Sequence, residues 1–283
     1  MLDLTYLESK DNLKPLKFED KEGWIHNDHR FVLPLVYDAQ EKGILPRPCK
    51  IIGFDFHTDT CDVSPGNLEK IKEAVKSGLT LSSVIEITKD LNRSDDDWIQ
   101  GGMQLGLFSD ALIFGTRGGS NSCESIRDLL GNSHQIITES GFPGPMLEFK
   151  GRLSDKIYES NLKPIWDLLG WDYKDNPEKN FSFKENGEKI LFDVDLDAFT
   201  MDWSDFIFPW KDEVFDHWFK EVSIYSPTSG WSGLDFTNQI ISQSGLITIA
   251  REPDCCGGEE KSEEIFSKLN KHLFNNNLII LKI

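Results

Sequence analysis

The sequence predicts an α/β fold, and three observations carry that prediction. Short apolar runs alternate with helical segments along the chain, which argues for a parallel sheet flanked by helices on both sides. One run, apolar from Ile51 to Phe54 within an expected strand to Phe56, leads into acidic residues, as a strand does where it emerges at the edge of such a sheet. The 283 residues could make one large domain or two smaller ones. No internal repeat, low-complexity tract or Pro/Gly/Ser linker divides them, so a single domain over residues 1–283 is expected. The most loop-like stretch, DNPEKNFSFKENGEK at 175–189, is too short to mark a boundary.

The elements follow in chain order. A helix is expected over Phe31–Lys42, with Gly43 as its C-terminal cap. The strand Lys50–Phe56 comes next, then helices over Leu68–Lys76 and Leu81–Leu91. Ser94 followed three residues later by Asp97 reads as a capping box, and acids favour a helix start; that helix is expected over Asp95–Leu107. Strands are expected at Ala111–Phe114, Gln135–Thr138 and Lys189–Asp195. A helix over Trp210–Glu221, a strand at Leu246–Ile249, a helix over Glu259–Asn275 and a strand at Leu278–Ile283 complete the pattern.

Composition narrows the function. Hydrophobic content of 39% and eight Trp supply ample core. The start, MLDLTYLESKDNLKPLKFED, has no basic segment followed by an apolar stretch, and no apolar run approaches the roughly 20 residues needed to cross a bilayer. A soluble, cytoplasmic protein with no membrane partner is the expectation. The five cysteines, Cys49, Cys61, Cys123, Cys255 and Cys256, form no CxxC pair and are expected to be reduced loop thiols. A net charge of −18 argues against nucleic acid, whose phosphates need clustered Lys and Arg, and would steer a basic substrate favourably.

The stretch IIGFDFHTDT places Asp55, His57 and Asp59 at every second position after the apolar run. In an extended chain those side chains point to one side, and sites in parallel sheets collect at the carboxyl ends of strands. Burying two carboxylates there is costly unless a cation compensates. A second stretch, KILFDVDLDAFT, repeats the arrangement with Asp193, Asp195 and Asp197. An EF-hand loop starting at Asp193 fails, because its sixth and twelfth positions hold Ala198 and Ser204. The Asp-x-Asp of haloacid dehalogenase-type phosphatases fits poorly, since Asp197 stands where Thr or Val follows; a manganese-binding glycosyltransferase Asp-x-Asp and an ordinary acidic loop are further readings. Oxygen-rich ligation with one or two imidazoles favours Mn²⁺ over Zn²⁺, and two acidic strand ends suggest a pair of ions.

Four motifs in order resemble the arginase and agmatinase superfamily. Asp55-Phe56-His57-Thr58-Asp59 is similar to its Asp-Ala-His-Thr-Asp signature, and Phe192-Asp193-Val194-Asp195 to its Phe-Asp-Val-Asp. Asn27-Asp28-His29 is similar to the Gly-Asp-His that supplies its first histidine ligand. Ala250-Arg251-Glu252-Pro253 stands where the superfamily places a Glu that holds the guanidinium. The motifs span residues 27 to 253, most of the chain. The resemblance implies a three-layer α/β/α arginase-like domain with two Mn²⁺ ions held by His29, Asp55, His57, Asp59, Asp193 and Asp195. It further implies a water-derived nucleophile that attacks the guanidinium carbon, Asp59 managing its proton, and Glu252 pairing with the guanidinium. Urea leaves and ornithine remains.

The chain departs from that pattern at several points. The stretch CDVSPGNLEK lacks the further histidine that arginases carry after the first signature, and His134 is expected to be structural. Asp197 stands outside the family's Asp-Pro continuation and receives no role; His26 is an alternative to His29; His217 and His272 lie in helical segments as surface or core residues. The stretches NDHRFVLPLV, GFDFHTDT and REPDCCGG resemble most a divergent branch that includes peptide arginases, which turn arginine in ribosomally made peptides into ornithine. An arginine-containing precursor peptide is therefore the expected partner. A small guanidino substrate (free arginine or agmatine) and a catalytically silent metal-binding relative are the alternatives.

Overall fold

The described residues open with a hairpin of β1 (Lys14–Phe18) and β2 (Lys21–His26), turned at Glu19 with a positive φ of 55°. A computed structural model describes residues 13–92, 96–116, 122–139, 189–203, 206–220 and 232–281. After β2, Asp28 caps a short 3₁₀ turn at His29–Phe31 by accepting from the Arg30 N–H, and the turn runs into α1 (Val32–Glu41). Gly43, with φ 73°, lies just beyond the end of α1 in the left-handed conformation that glycine adopts without strain. Next come β3 (Cys49–Phe54), α2 (Pro65–Ser77) and α3 (Leu81–Asp90). Ser64 caps α2, and Thr80 with Ser83 closes a capping box on α3. Then follow α4 (Trp98–Gln104), β4 (Phe108–Phe114), β5 (Ser122–Arg127), β6 (Ser133–Glu139) and β7 (Ile190–Asp195).

A 3₁₀ turn at Leu196–Phe199 leads into a second hairpin, β8 (Thr200–Trp203) and β9 (Phe206–Pro209). A short α5 (Asp212–Phe215) widens into a π-helical turn over Asp216–Lys220. The described chain ends with α6 (Gly233–Gln243), β10 (Ser244–Ala250), α7 (Pro253–Cys256), α8 (Glu259–Leu273) and β11 (Ile279–Ile280).

The strands form a 9-stranded sheet in the order β11-β1-β2-β10-β7-β3-β4-β6-β5. From β2 to β6 every neighbour is parallel, while β1, β11 and β5 run antiparallel at the margins. Side-chain alternation splits the core between two faces. Ile52, Phe54, Phe192 and Val194 pack with Phe219, Phe236, Ile240 and Leu269 of the C-terminal helices. Ile51, Ala111, Ile113 and Leu191 pack with Val32, Val36, Val84, Trp98 and Met103 of α1, α3 and α4. Each such side chain taken fully from water contributes roughly 1.5–3 kcal/mol, so both faces must be covered. The architecture is therefore mixed α/β, with helices over both faces of a mostly parallel sheet. No helix among the described residues is long and apolar enough to cross a membrane.

Several sequence expectations need correction. The strand expected to Phe56 stops at Phe54, and the helix expected over Asp95–Leu107 is confined to Trp98–Gln104. Ser94 and Asp95 lie outside the described residues, and Asp97 sits just before the helix rather than in its third position. Its carboxylate accepts the Asn92 N–H at 3.1 Å. Both hairpins, β5, α6 and α7 are elements beyond the sequence expectation. The loop-like 175–188 stretch and the tail beyond 281 lie outside the described residues.

Candidate metal centre

Four neighbouring parallel strands, β2, β10, β7 and β3, bring the sequence motifs together at their carboxyl ends. Ala250 is paired with both His26 and Asp195, and Phe54 with Val194. The ladder continues past β10, where the Arg251 N–H donates to the His26 carbonyl at 2.8 Å and Glu252 N–H to the Asn27 carbonyl at 3.2 Å. The residues that follow these positions, His29, Glu252, Asp195 and Asp55, therefore emerge side by side at one edge.

The first signature does not stay extended. Asp59 adopts φ 49°, a left-handed conformation costly for a residue with a Cβ, and such strain clusters at functional sites. The bend turns Asp55 and Asp59 inward, where both are buried, while the His57 side chain is 48% exposed. The expectation that all three side chains share one face through an extended chain is thus replaced by a folded loop. Hydrogen bonds hold that loop: His57 N–H donates to Asp55 Oδ1 at 2.7 Å, and the Trp98 indole donates to Asp59 Oδ2 at 2.5 Å.

His29 lies at the middle of the acidic group. Its Nε2 is 2.6 Å from Asp193 Oδ2; its Nδ1 is 3.2 Å from Asp59 Oδ2, 3.2 Å from Asp195 Oδ2 and 3.7 Å from Asp55 Oδ2. Thr248 on β10 donates its hydroxyl to the other Asp193 oxygen at 2.5 Å. His57 Nδ1 lies 3.0 Å from Asp197 Oδ2, while Phe56 N–H donates to Asp197 Oδ1 at 3.2 Å. Ligand atoms converge within 4.8 Å of one another in four sets: His29–Asp55–Asp59, Asp55–His57–Asp197, His29–Asp195–Glu252 and Asp197–Glu252–Cys255.

Asp55, Asp59, Asp193, Asp195 and Asp197 are all nearly inaccessible, at 1–4% exposure. Among the described residues, the cationic groups within ion-pair distance of them are the imidazoles of His29 and His57. The excess of buried negative charge shows in their acidities. Burial, then the charges of Asp59 and Asp195, push Asp55 well above the carboxylate range. Burial and the Asp197 charge raise Asp195 to about 8. Burial opposes protonation of His29, but the charge and hydrogen bond of Asp193 outweigh it and hold the imidazole well above its usual value. His57 rises to about 9, mainly through its hydrogen bond to Asp197.

Glu252 sits directly before α7 with φ 34°, a second strained residue at the same edge. A cavity of about 250 Å³, lined by Phe56, His57, Asp197, Thr200, Ile207 and Cys255, opens beside the centre.

Other sequence candidates fall elsewhere. His26, fully buried, turns Nδ1 to the Asp28 carbonyl at 3.0 Å; burial and then the neighbouring His29 hold it down to about 4. His134 bridges the Ser109 carbonyl at 2.5 Å and Asp128 at 3.2 Å, a structural role as expected. His272 is buried, stacked on Phe215 between Asp212 and Asp216, and His217 lies in the π-helical turn. Burial above all raises the Cys255 and Cys256 thiols, and Cys256 donates to the Arg251 carbonyl. The sequence gives no role to Trp98 or Thr248 and reads Cys255 as a reduced thiol; for the placement of Asp197 only the two-residue step from Asp195 offers a signal. No family model matches the chain, and no curated protein matches its sequence.

Proposed function

We propose that the protein is a metal-dependent hydrolase of guanidinium groups, converting arginine residues in a peptide to ornithine with release of urea. The observation that carries this reading is the meeting of four motifs, spread over residues 27 to 253, at four adjacent strand ends. An arginase-like three-layer domain would require that juxtaposition. The donor set fits hard divalent cations such as Mn²⁺: buried carboxylates outnumber cationic partners, and the buried Asp55 Oδ2 has no hydrogen-bond partner. Two donor sets sharing Asp55 suit a pair of ions.

The residues that would hold the ions are His29, Asp55, His57, Asp59 and the carboxylates at the end of β7, Asp193 and Asp195 in the family's pattern. Bound there, divalent cations supply Lewis-acid chemistry and make water nucleophilic near neutral pH. Glu252 pairs with the planar guanidinium and fixes its carbon over the acidic group. Asp59, held by Trp98, accepts the proton of the attacking water. A carbon–oxygen bond forms, the bond to the side-chain nitrogen breaks, and the proton passes to that nitrogen, leaving ornithine and urea.

A peptide substrate is favoured by the stretch Thr60 to Pro65, which does not preserve the polar pattern with which arginases clamp free amino-acid ends. Here Thr60 is held through its carbonyl by Gln100 at 2.7 Å, and the Ser64 hydroxyl caps α2. A net charge of −18 attracts basic chains, an effect that weakens with salt. The test is a urea assay with Mn²⁺-loaded protein on an arginine-containing peptide and on free arginine or agmatine, with mass spectrometry of the peptide. Urea release with a mass loss matching arginine to ornithine is expected, with little turnover of free arginine. Turnover of the small compounds alone would replace the peptide with them, and no urea from any substrate would point to a silent metal-binding relative.

A further inference from the structure

We infer that the second carboxylate pair facing the centre is Asp195 and Asp197, two residues beyond the motif match, and that Asp193 is a positioning residue for His29. The inference rests on the proposed metal centre and concerns which of this chain's side chains hold the cations.

Asp193 is separated from the other carboxylates by the His29 ring. It meets Nε2 at 2.6 Å, whereas Asp55, Asp59 and Asp195 gather around Nδ1. Its second oxygen is taken by the Thr248 hydroxyl at 2.5 Å. A metal-binding histidine commonly gives its other ring N–H to a carboxylate, which fixes the tautomer and the ring orientation. That is the geometry of Asp193, with Thr248 behind it. The nitrogen left facing the acidic group, Nδ1, is buried and lies 3.2 Å from both Asp59 Oδ2 and Asp195 Oδ2.

Asp197 has the complementary placement. The 3₁₀ turn after β7 folds it back, with its N–H on Asp195 Oδ1 at 3.0 Å, so that both side chains reach the centre. Asp197 is 1% exposed and joins Asp55 and His57 in one donor set, while Asp195 joins His29 and Glu252 in another. Asp55 belongs to two sets, and its Oδ2 is buried without a hydrogen-bond partner. Asp193 belongs to none of the converging sets. Cations among these atoms would therefore take Asp195 and Asp197 directly and reach Asp193 only through His29.

The test is Mn²⁺ binding, read by calorimetric titration and by the electron paramagnetic resonance signal of a spin-coupled pair, with circular dichroism to verify folding. Wild-type protein is expected to bind two ions. Asp197→Asn should bind one and lose the coupled signal; Asp197→Ser carries the same expectation should the first variant fold poorly. Asp193→Asn should keep two ions with affinity weakened about 10–100-fold. Thr248→Val should weaken affinity in the same direction without changing the number, and it stands in for Asp193→Asn if that variant misfolds. Two ions at unchanged affinity in Asp197→Asn, or one ion in Asp193→Asn, would overturn the assignment while leaving the centre in place. Wild-type protein that binds no Mn²⁺, Co²⁺ or Zn²⁺ would remove the centre itself and the assignment with it.

Discussion

Replacing Asp55 by Asn should stabilise the metal-free protein and destroy its response to manganese. Asp55 is 2% exposed; one oxygen accepts the His57 N–H at 2.7 Å and the other has no hydrogen-bond partner. Asp59 and Asp197 each offer an oxygen within 4.8 Å of it, and the His29 ring is 3.7 Å away. At an effective dielectric of about 20, a carboxylate at that outer limit repels by roughly 3.5 kcal/mol, and a protonated His29 attracts by roughly 4.5 kcal/mol. Two carboxylates against one imidazole leave the ionised side chain disfavoured by at least roughly 2–3 kcal/mol, to which the Asp195 charge and burial add. Asn has nearly the same volume, keeps an oxygen for the His57 N–H and carries no charge. In EDTA at pH 8 the variant should therefore be more stable by about 2–3 kcal/mol, a rise in Tm of about 3–5 °C.

The sign with pH follows from the raised acidity. A carboxyl whose folded pKa lies above its unfolded value costs stability above the unfolded value and nothing below it. The advantage of Asp55→Asn should thus shrink as pH falls toward about 4, by up to about 1.4 kcal/mol per unit. With Mn²⁺ at a hundredfold excess over Kd, wild type should gain about 2.7 kcal/mol per site, and the variant should lose most of that gain. Thermal unfolding followed by circular dichroism, with EDTA and with Mn²⁺, measures both. A variant less stable than wild type in EDTA, or one with an undiminished manganese shift, would refute the reasoning.

Asp59→Ala and Asp195→Ala should each lose bound manganese and turnover while retaining the far-ultraviolet circular dichroism of wild type; elemental analysis showing full metal would contradict this. Glu252→Gln should keep its metal but lose about 2–5 kcal/mol of substrate interaction, read as kcat/KM on the peptide, because an amide cannot replace a charged bidentate partner. Unchanged kinetics would take Glu252 out of the site. Gly23→Ala places a Cβ 2.6 Å from the Ile247 backbone oxygen and 2.3 Å from Leu16 Cδ1. It should lower stability by about 1–3 kcal/mol, seen as a lower urea midpoint at unchanged slope, without altering manganese stoichiometry.

The elements legible in the sequence were those whose signals are local. The apolar run ending β7, ILFDVD, and the periodic, charged α8 declare themselves without a partner. The capping box Ser232–Asp235 and the spacing of Phe236, Ile240 and Ile241 in α6 were equally local, so that helix could have been found. The β1–β2 hairpin was harder, because Glu19 and Asp20 turn it without the Gly or Asn that usually marks such a turn. Its strands are recognisable mainly by their pairing, β1 with β11 and β2 with β10, across most of the chain.

At the centre the division is sharper. Residue types and spacing supplied the donors, their order along the chain and their position just after apolar strands. They could not supply strand order: β10 lies between β2 and β7, which delivers Glu252 to the group and sets Thr248 against Asp193. Nor could they foresee the left-handed bend at Asp59 or the turn that folds Asp197 back, because spacing describes an extended chain and loops depart from it. Asp193, Asp195 and Asp197 are alike in a two-residue repeat. His29, carried in from β2, separates them, since one ring nitrogen faces a single carboxylate and the other faces three.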